Sequence, residues 1–121
     1  MFAIEFDQPR NLMVIRYNDH VGPDETERAL EEVRSALRQV ERGFRLLADL
    51  TGLQSMDVLC APHIESAMDM FNEKGVAEVI RIIPDPRRDI GMQIMSYFHY
   101  GGDVRIVTCE SLDEAMKLLV T

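Results

Sequence analysis

Cys60 and His63 stand three residues apart, with Pro62 between them, at a point where a helix is expected to begin. A helix N-terminus lowers a thiol pKa, and an imidazole one turn on can take the proton, which is the arrangement of a nucleophilic cysteine. The alternative is a cysteine packed at the start of a helix. A zinc set would need a second Cys-x-x-Cys or a His-x-x-x-His, and neither is present. His99 and Cys109 are the plausible further ligands and fall in separate elements, so no metal and no cofactor is expected. His20 follows Asn18-Asp19 in a polar loop and reads as a solvated side chain. Tyr97-Phe98-His99-Tyr100 reads as a helix end, with Phe98 in the core and His99 beside the last carbonyls, or as a binding edge. No phosphate cradle is present: Gly101-Gly102 is a bare turn, and Gly91 lacks the Gly-x-Gly-x-x-Gly spacing. Arg87-Arg88 would meet an anion at a helix start, but Asp85 and Asp89 flank them, which favours a solvated charge cluster. With no complete catalytic set, the chain is expected not to be an enzyme.

The elements that must position these residues follow from periodicity. Phe2, Ile4 and Phe6 alternate with polar neighbours, and Gln8-Pro9-Arg10-Asn11 turns the chain into a second strand over 12–17. Asp24 with Glu27 has capping-box spacing, and Leu30, Val33, Leu37 and Val40 form one helical stripe that Gly43 is expected to stop. A third strand spans 44–50. After the loop Thr51–Asp57 a second helix begins near Cys60–Pro62, buries Ile64, Ala67, Met68 and Phe71, and ends at Gly75. Strand four is 76–83. Pro84-Asp85-Pro86 precedes a third helix capped by Asp89, with Ile90, Ile94, Met95 and Phe98 inside. A fifth strand spans 104–109, and Ser111 with Glu114 opens a last helix carrying Leu112, Ala115, Met116 and Leu119.

The order ββαβαβαβα predicts a single α/β domain over residues 1–121 with a five-stranded mixed, mostly parallel sheet. Phe2/Ile4/Phe6, Met13/Ile15/Tyr17, Phe44/Leu46/Ala48/Leu50, Ile80/Ile82 and Val104/Ile106 form apolar sets, which places helices mainly on one face and leaves the other partly wet. By the same parity Arg16, Arg45, Arg81 and Arg105 fall on the opposite face with Glu5, Asp49 and Asp103. Such a row is either a salt-bridged, solvated surface or a face for an acidic partner or a second copy of the chain, read by bidentate arginine pairing.

Composition narrows the function classes. A net charge of −8 disfavours nucleic acid and anionic membrane surfaces. No secretory leader and no membrane-length apolar run is read, and two cysteines make no disulfide framework, so a reducing cytoplasm is expected.

The segment Ala48-Asp49-Leu50-Thr51-Gly52-Leu53-Gln54-Ser55-Met56-Asp57-Val58-Leu59-Cys60, with Gly75-Val76 before the fourth strand, resembles the STAS domain of the SpoIIAA-like anti-sigma-factor antagonists. In that family a strand ends in a short turn, then an Asp, then Ser-Ser-Gly at the next helix start. Asp57 matches the Asp, whereas Val58 and Leu59 replace the serines and Cys60 the glycine. The resemblance implies a bacterial, cytoplasmic, regulatory protein-binding module. It also implies that the phosphoacceptor hydroxyl is missing at Leu59, so a switch that adds charge at a helix N-terminus does not operate there. Thr51 and Ser55 are nearby hydroxyls that turn chemistry accounts for.

The sheet-and-helix plan is also similar to the CRAL-TRIO lipid carriers. Met68, Met95 and Met116 would then line an adaptable apolar pocket for a small apolar ligand, where ordinary core packing is the other reading. The expected function is thus a non-catalytic regulatory or scaffolding module that binds a protein or itself, with Thr51, Ser55, Asp57, Leu59, Cys60, His63 and the four arginines as candidate contacts. A carrier of a small apolar ligand is the alternative.

Overall fold

A computed structural model of the chain describes residues 1–83 and 100–120. The expected third helix, with its Pro84-Asp85-Pro86 break, Asp89 cap, Arg87-Arg88, Gly91 and His99, lies outside the described residues. Alternating apolar residues build β1 (Phe2–Asp7), and the Gln8–Asn11 turn returns the chain antiparallel as β2 (Leu12–Tyr17). A three-residue strand, β3 (Asp19–Val21), leads into α1 (Pro23–Ala36). Then follow β4 (Arg45–Asp49), β5 (Leu53–Met56), a 3-10 turn at Val58–Cys60 and α2 (Ala61–Lys74). β6 (Glu78–Ile82), β7 (Arg105–Cys109) and α3 (Leu112–Leu119) complete the described elements.

The sheet has five strands in the order β1-β2-β4-β6-β7. β1 is antiparallel to β2 and the other pairings are parallel, as the element order required. The expected strands over 2–7, 12–17, 44–50, 76–83 and 104–109 all form, trimmed by a residue or two. β3 and β5 make a separate two-stranded parallel sheet that the sequence had shown only as loop.

Helices α1 and α2 cover one face. Ala29, Val33 and Leu37 from the first, and Ile64, Ala67, Met68 and Phe71 from the second, pack on Met13, Ile15, Tyr17, Leu46 and Val79. All four residues expected on the inner face of α2 are buried there. Gly75 ends α2 in the left-handed region (φ 91°), where a Cβ would also lie 2.5 Å from Arg42 Cγ.

The start of α1 differs from expectation. Pro23 occupies the first helical position and Gly22 is the cap, its carbonyl accepting from the N–H groups of Glu25 and Thr26. Proline's fixed φ begins the helix one residue before Asp24, so the Asp24–Glu27 box does not form; Asp24 and Glu25 instead sit in the first turn, favourable to the helix dipole. The helix ends at Ala36, well before Gly43, whose positive φ (89°) turns the chain into β4. Leu30 is only half-buried, and Ala29 takes the core position beside Val33.

The face assignment of β6 is corrected. Register pairs Leu46 with Val79 and Leu47 with Ile80, so Ile80 and Ile82 lie on the opposite face from Leu46. There they join Leu12, Val14, Leu47 and Cys109 beneath Ala115 and Leu119 of α3. β6 is covered on both sides, and a strand buried on both faces loses the period-two pattern on which parity rests. The row of four arginines is broken for the same reason: Arg16, Arg45 and Arg105 share the α3 face, while Arg81 points to the α1/α2 face, 3% exposed, and donates to Thr108 Oγ1 at 2.8 Å. Within α3, Ala115 and Leu119 are buried as expected, but Leu112 and Met116 are 44% and 39% exposed.

Adjacent residues Leu46 and Leu47, each 2% exposed, make the two-sided core testable. Leu46→Ala and Leu47→Ala should each cost about 2–5 kcal/mol of unfolding free energy in urea titrations. A near-neutral Leu47→Ala would mean that the α3 face is wet.

Candidate functional site

The parallel strands deliver their carboxyl ends to one edge of the sheet, the edge where open α/β sheets commonly place binding loops. Here β4 ends at Asp49, whose Oδ1 accepts from both the N–H (3.0 Å) and the hydroxyl (2.6 Å) of Thr51. Its other oxygen faces Arg16 Nε at 3.4 Å. The turn so formed brings the carbonyl of Gly52 to the N–H of Asp19 at 2.8 Å. A Cβ on Gly52 would lie 2.1 Å from Asn18 Oδ1, so a larger residue here would have to displace the Asn18 side chain. β5 then runs beside β3, setting Ser55 opposite His20, with Ser55 Oγ and His20 Nδ1 2.7 Å apart.

The 3-10 turn after β5 is tied down at its base and open at its top. Asp57 caps it: its Oδ1 accepts from Leu59 N–H at 2.8 Å and its carbonyl from Cys60 N–H at 2.9 Å. Asp57 N–H donates to the Val21 carbonyl at 3.0 Å, which fixes the turn to β3. Cys60 points inward, fully buried, with Sγ 3.6 Å from the same Val21 carbonyl. The next two side chains outward have nothing over them: Val58 is 84% and Leu59 65% exposed.

The Cys60–His63 pair is not assembled as thiol and base. His63 Nδ1 lies 2.8 Å from Thr26 Oγ1, and the Thr26 hydroxyl donates to the Pro23 carbonyl at 3.0 Å. Since Thr26 has one proton to give, His63 Nδ1–H is the donor between them. The imidazole therefore pins the start of α2 to the start of α1. Tyr17 packs near Cys60, and burial pushes its phenol well above the usual tyrosine range, so it stays protonated.

Of the residues singled out from sequence, Thr51, Ser55, Asp57, Leu59, Cys60 and His63 gather at this edge, with Thr51, Ser55 and Leu59 exposed. Arg16 reaches this edge through Asp49, whereas Arg45 and Arg105 lie away from it. Arg16 bridges Glu5 at 3.3 Å and Asp49, and Arg105 faces Glu78 at 3.3 Å, directly across the β6–β7 register. Arg45 donates to the carbonyls of Leu118 (3.5 Å) and Leu119 (3.2 Å), closing the C-terminus of α3. His20 and Val58 belong to the site and were not read as such. Only the apolar pair Val58-Leu59 at a helix start, where burial was not available, hinted at it. Among the described residues no group of three or more His, Cys, Asp or Glu could hold a metal ion, and no helix is long and apolar enough to cross a membrane.

No protein-family model matches the sequence, and no curated protein matches it significantly. Solved structures do match the fold. A protein of the DUF3478 family with a SpoIIAA-like fold from Shewanella loihica superposes with a TM-score of 0.75 at 16% identity, covering 98% of this chain and 93% of that one. The Bacillus cell fate determinant SpoIIAA in its phosphorylated form gives 0.65 at 16% identity, covering 98% and 99%. An anti-sigma factor antagonist from Mycobacterium paratuberculosis gives 0.63 at 10% identity, covering 100% and 96%. The chain has the SpoIIAA-like fold of STAS domains.

Burial of Cys60 sets the expected thiol chemistry. In native protein it should alkylate far more slowly than a free model thiol at neutral pH, at a rate that His63→Ala does not lower. Fast labelling abolished by His63→Ala would restore the nucleophile reading. Asp57→Ala, which removes the cap, should cost about 0.5–2 kcal/mol of stability in thermal or urea melts.

Proposed function

We propose that the chain is a non-catalytic regulatory module of STAS type, one domain over residues 1–121, that docks a protein partner on the edge formed by β5, the 3-10 turn and the start of α2. One observation carries this reading: Val58 and Leu59 stand exposed on a turn that Asp57 caps and Val21 anchors through hydrogen bonds. A rigid, exposed apolar pair beside polar Ser55 and His20 has the make-up of an interface centre with a polar rim. Proteins of this fold that are named anti-sigma factor antagonists support a protein as the partner. In this chain the position that resembles the phosphoacceptor is Leu59, which has no hydroxyl, so docking there is constitutive. We take the protein to be cytoplasmic, with Arg16, Arg45 and Arg105 serving structure on the other face. A carrier of a small apolar ligand is the less favoured reading, because Met68 packs within the core of the α1/α2 layer.

A photo-crosslinking residue at position 59, expressed in the native cell, should trap a discrete protein, while the same residue at exposed Glu110 should not. Leu59→Asp should weaken binding of that protein by about tenfold or more, the loss of a buried apolar contact. Intact-mass and peptide analysis of the natural protein should show no phosphate on residues 57–60. Phosphate on this stretch, or equal trapping from positions 59 and 110, would defeat the proposal.

A further inference from the structure

Among the described residues the face opposite α1 and α2 is only partly covered. α3 lies over β6 and β7, and beside it an open groove of about 320 Å³ runs to the β1–β2 side, with Leu12, Val14 and Leu47 among its lining residues. Along its other wall stand Leu112 and Met116 of α3, 44% and 39% exposed. Val120, 80% exposed, follows at the same four-residue spacing, so the three form one stripe. These are three of the few large apolar side chains that the described surface exposes, and they are remote in sequence from Val58 and Leu59.

The helix that carries the stripe is held rigidly. Ser111 Oγ accepts from Glu114 N–H at its N-terminus, and Arg45 closes its last carbonyls. Asp113 and Lys117 are exposed along one edge of the stripe, each one residue beyond Leu112 and Met116. Their spacing and order suit an intrahelical ion pair, yet among the described residues neither makes one.

We infer that α3 is a self-association surface, whose occupant is α3 of a second copy packed antiparallel about a two-fold axis at Met116. In that arrangement Met116 meets its own symmetry mate and Leu112 meets Val120 of the other copy. Asp113 then lies beside Lys117 of the other copy, twice over, because an isologous contact repeats each pair. The stripe is self-complementary in both shape class and charge: apolar opposite apolar, acid opposite base. An acidic or a basic partner of another kind would satisfy only one of the two ions. The surface is small, so the dimer is a weak one with a micromolar Kd. It leaves the Val58–Leu59 edge free, and the inference stands or falls independently of the function proposed for that edge.

Sedimentation equilibrium over a concentration series tests this. Wild type is expected to follow a monomer–dimer isotherm. Met116→Asp, which sets two carboxylates face to face at the axis, should leave only monomer. It sits at an exposed site, and an unchanged circular dichroism melt would show that the fold survives. Asp113→Lys and Lys117→Asp should each weaken the dimer by about tenfold, and the double exchange Asp113→Lys/Lys117→Asp should restore it. A wild type that stays monomeric at the highest concentration overturns the inference, as does a dimer indifferent to Met116→Asp or a double exchange as weak as the singles. So does native mass spectrometry that finds the monomer carrying a small apolar molecule that Met116→Asp releases.

Discussion

Leu46 and Leu47 occupy consecutive positions of β4, point to opposite faces, and are both 2% exposed. Two-sided burial of the central strands is the constraint on which the other layers depend. β2, β4 and β6 cannot leave either face in water, so the chain must supply helices to both. α1 and α2 form a thick layer on one side, filled by Phe44, Phe71 and Met68; the Phe44 and Phe71 rings meet edge to face with centroids 6.5 Å apart. Among the described residues α3, a helix of eight residues, is the cover on the other side.

The short cover explains the polar devices on that face. Eight residues bury few side chains, Ala115 and Leu119 foremost, so α3 gains from fixed ends. Arg45 is placed to provide one of them: it begins β4 on the α3 face and its guanidinium reaches the last carbonyls of the helix. Arg16 and Arg105 occupy the same face over other strands and settle on carboxylates next to them in the register. Each such pair is half-exposed and contributes about 0–1 kcal/mol, enough to keep the face ordered without being its main support. Arg16, Arg45 and Arg105 thus each have partners within this face.

At the carboxyl edge of the sheet the economy is different. Hydrogen bonds replace packing: Asp49 folds the Thr51 turn, Gly52 meets Asp19, and Asp57 organises the 3-10 turn. Charge-assisted bonds from carboxylates to N–H groups are strong enough to hold a loop that buries little. These bonds fix the turn on which Val58 and Leu59 are presented to solvent. Cys60 and His63 belong to the same support, one beneath the turn on Val21 and the other clamping α2 to Thr26 of α1.

What the chain determined by itself is what depends on neighbours in sequence. Apolar runs between turn residues marked five strands, the 3.6-residue stripe marked Ile64, Ala67, Met68 and Phe71 in α2, Ser111 marked the start of α3, and Gly75 marked an end that only a left-handed residue could make. The strand–helix order carried the mixed sheet, because right-handed crossovers leave little freedom. What tertiary structure alone decided depends on partners far along the chain. The face taken by Ile80, Arg81 and Ile82 followed from pairing with β4, since a strand covered on both sides carries no parity of its own. The strand character of Asp19–Val21 needed β5, more than thirty residues away. The thiol and imidazole that looked like a reactive pair were drawn apart by Val21 and Thr26, acceptors on other elements. Local spacing can bring two such groups within reach, but their hydrogen bonds go to whichever partners the packed fold sets closest.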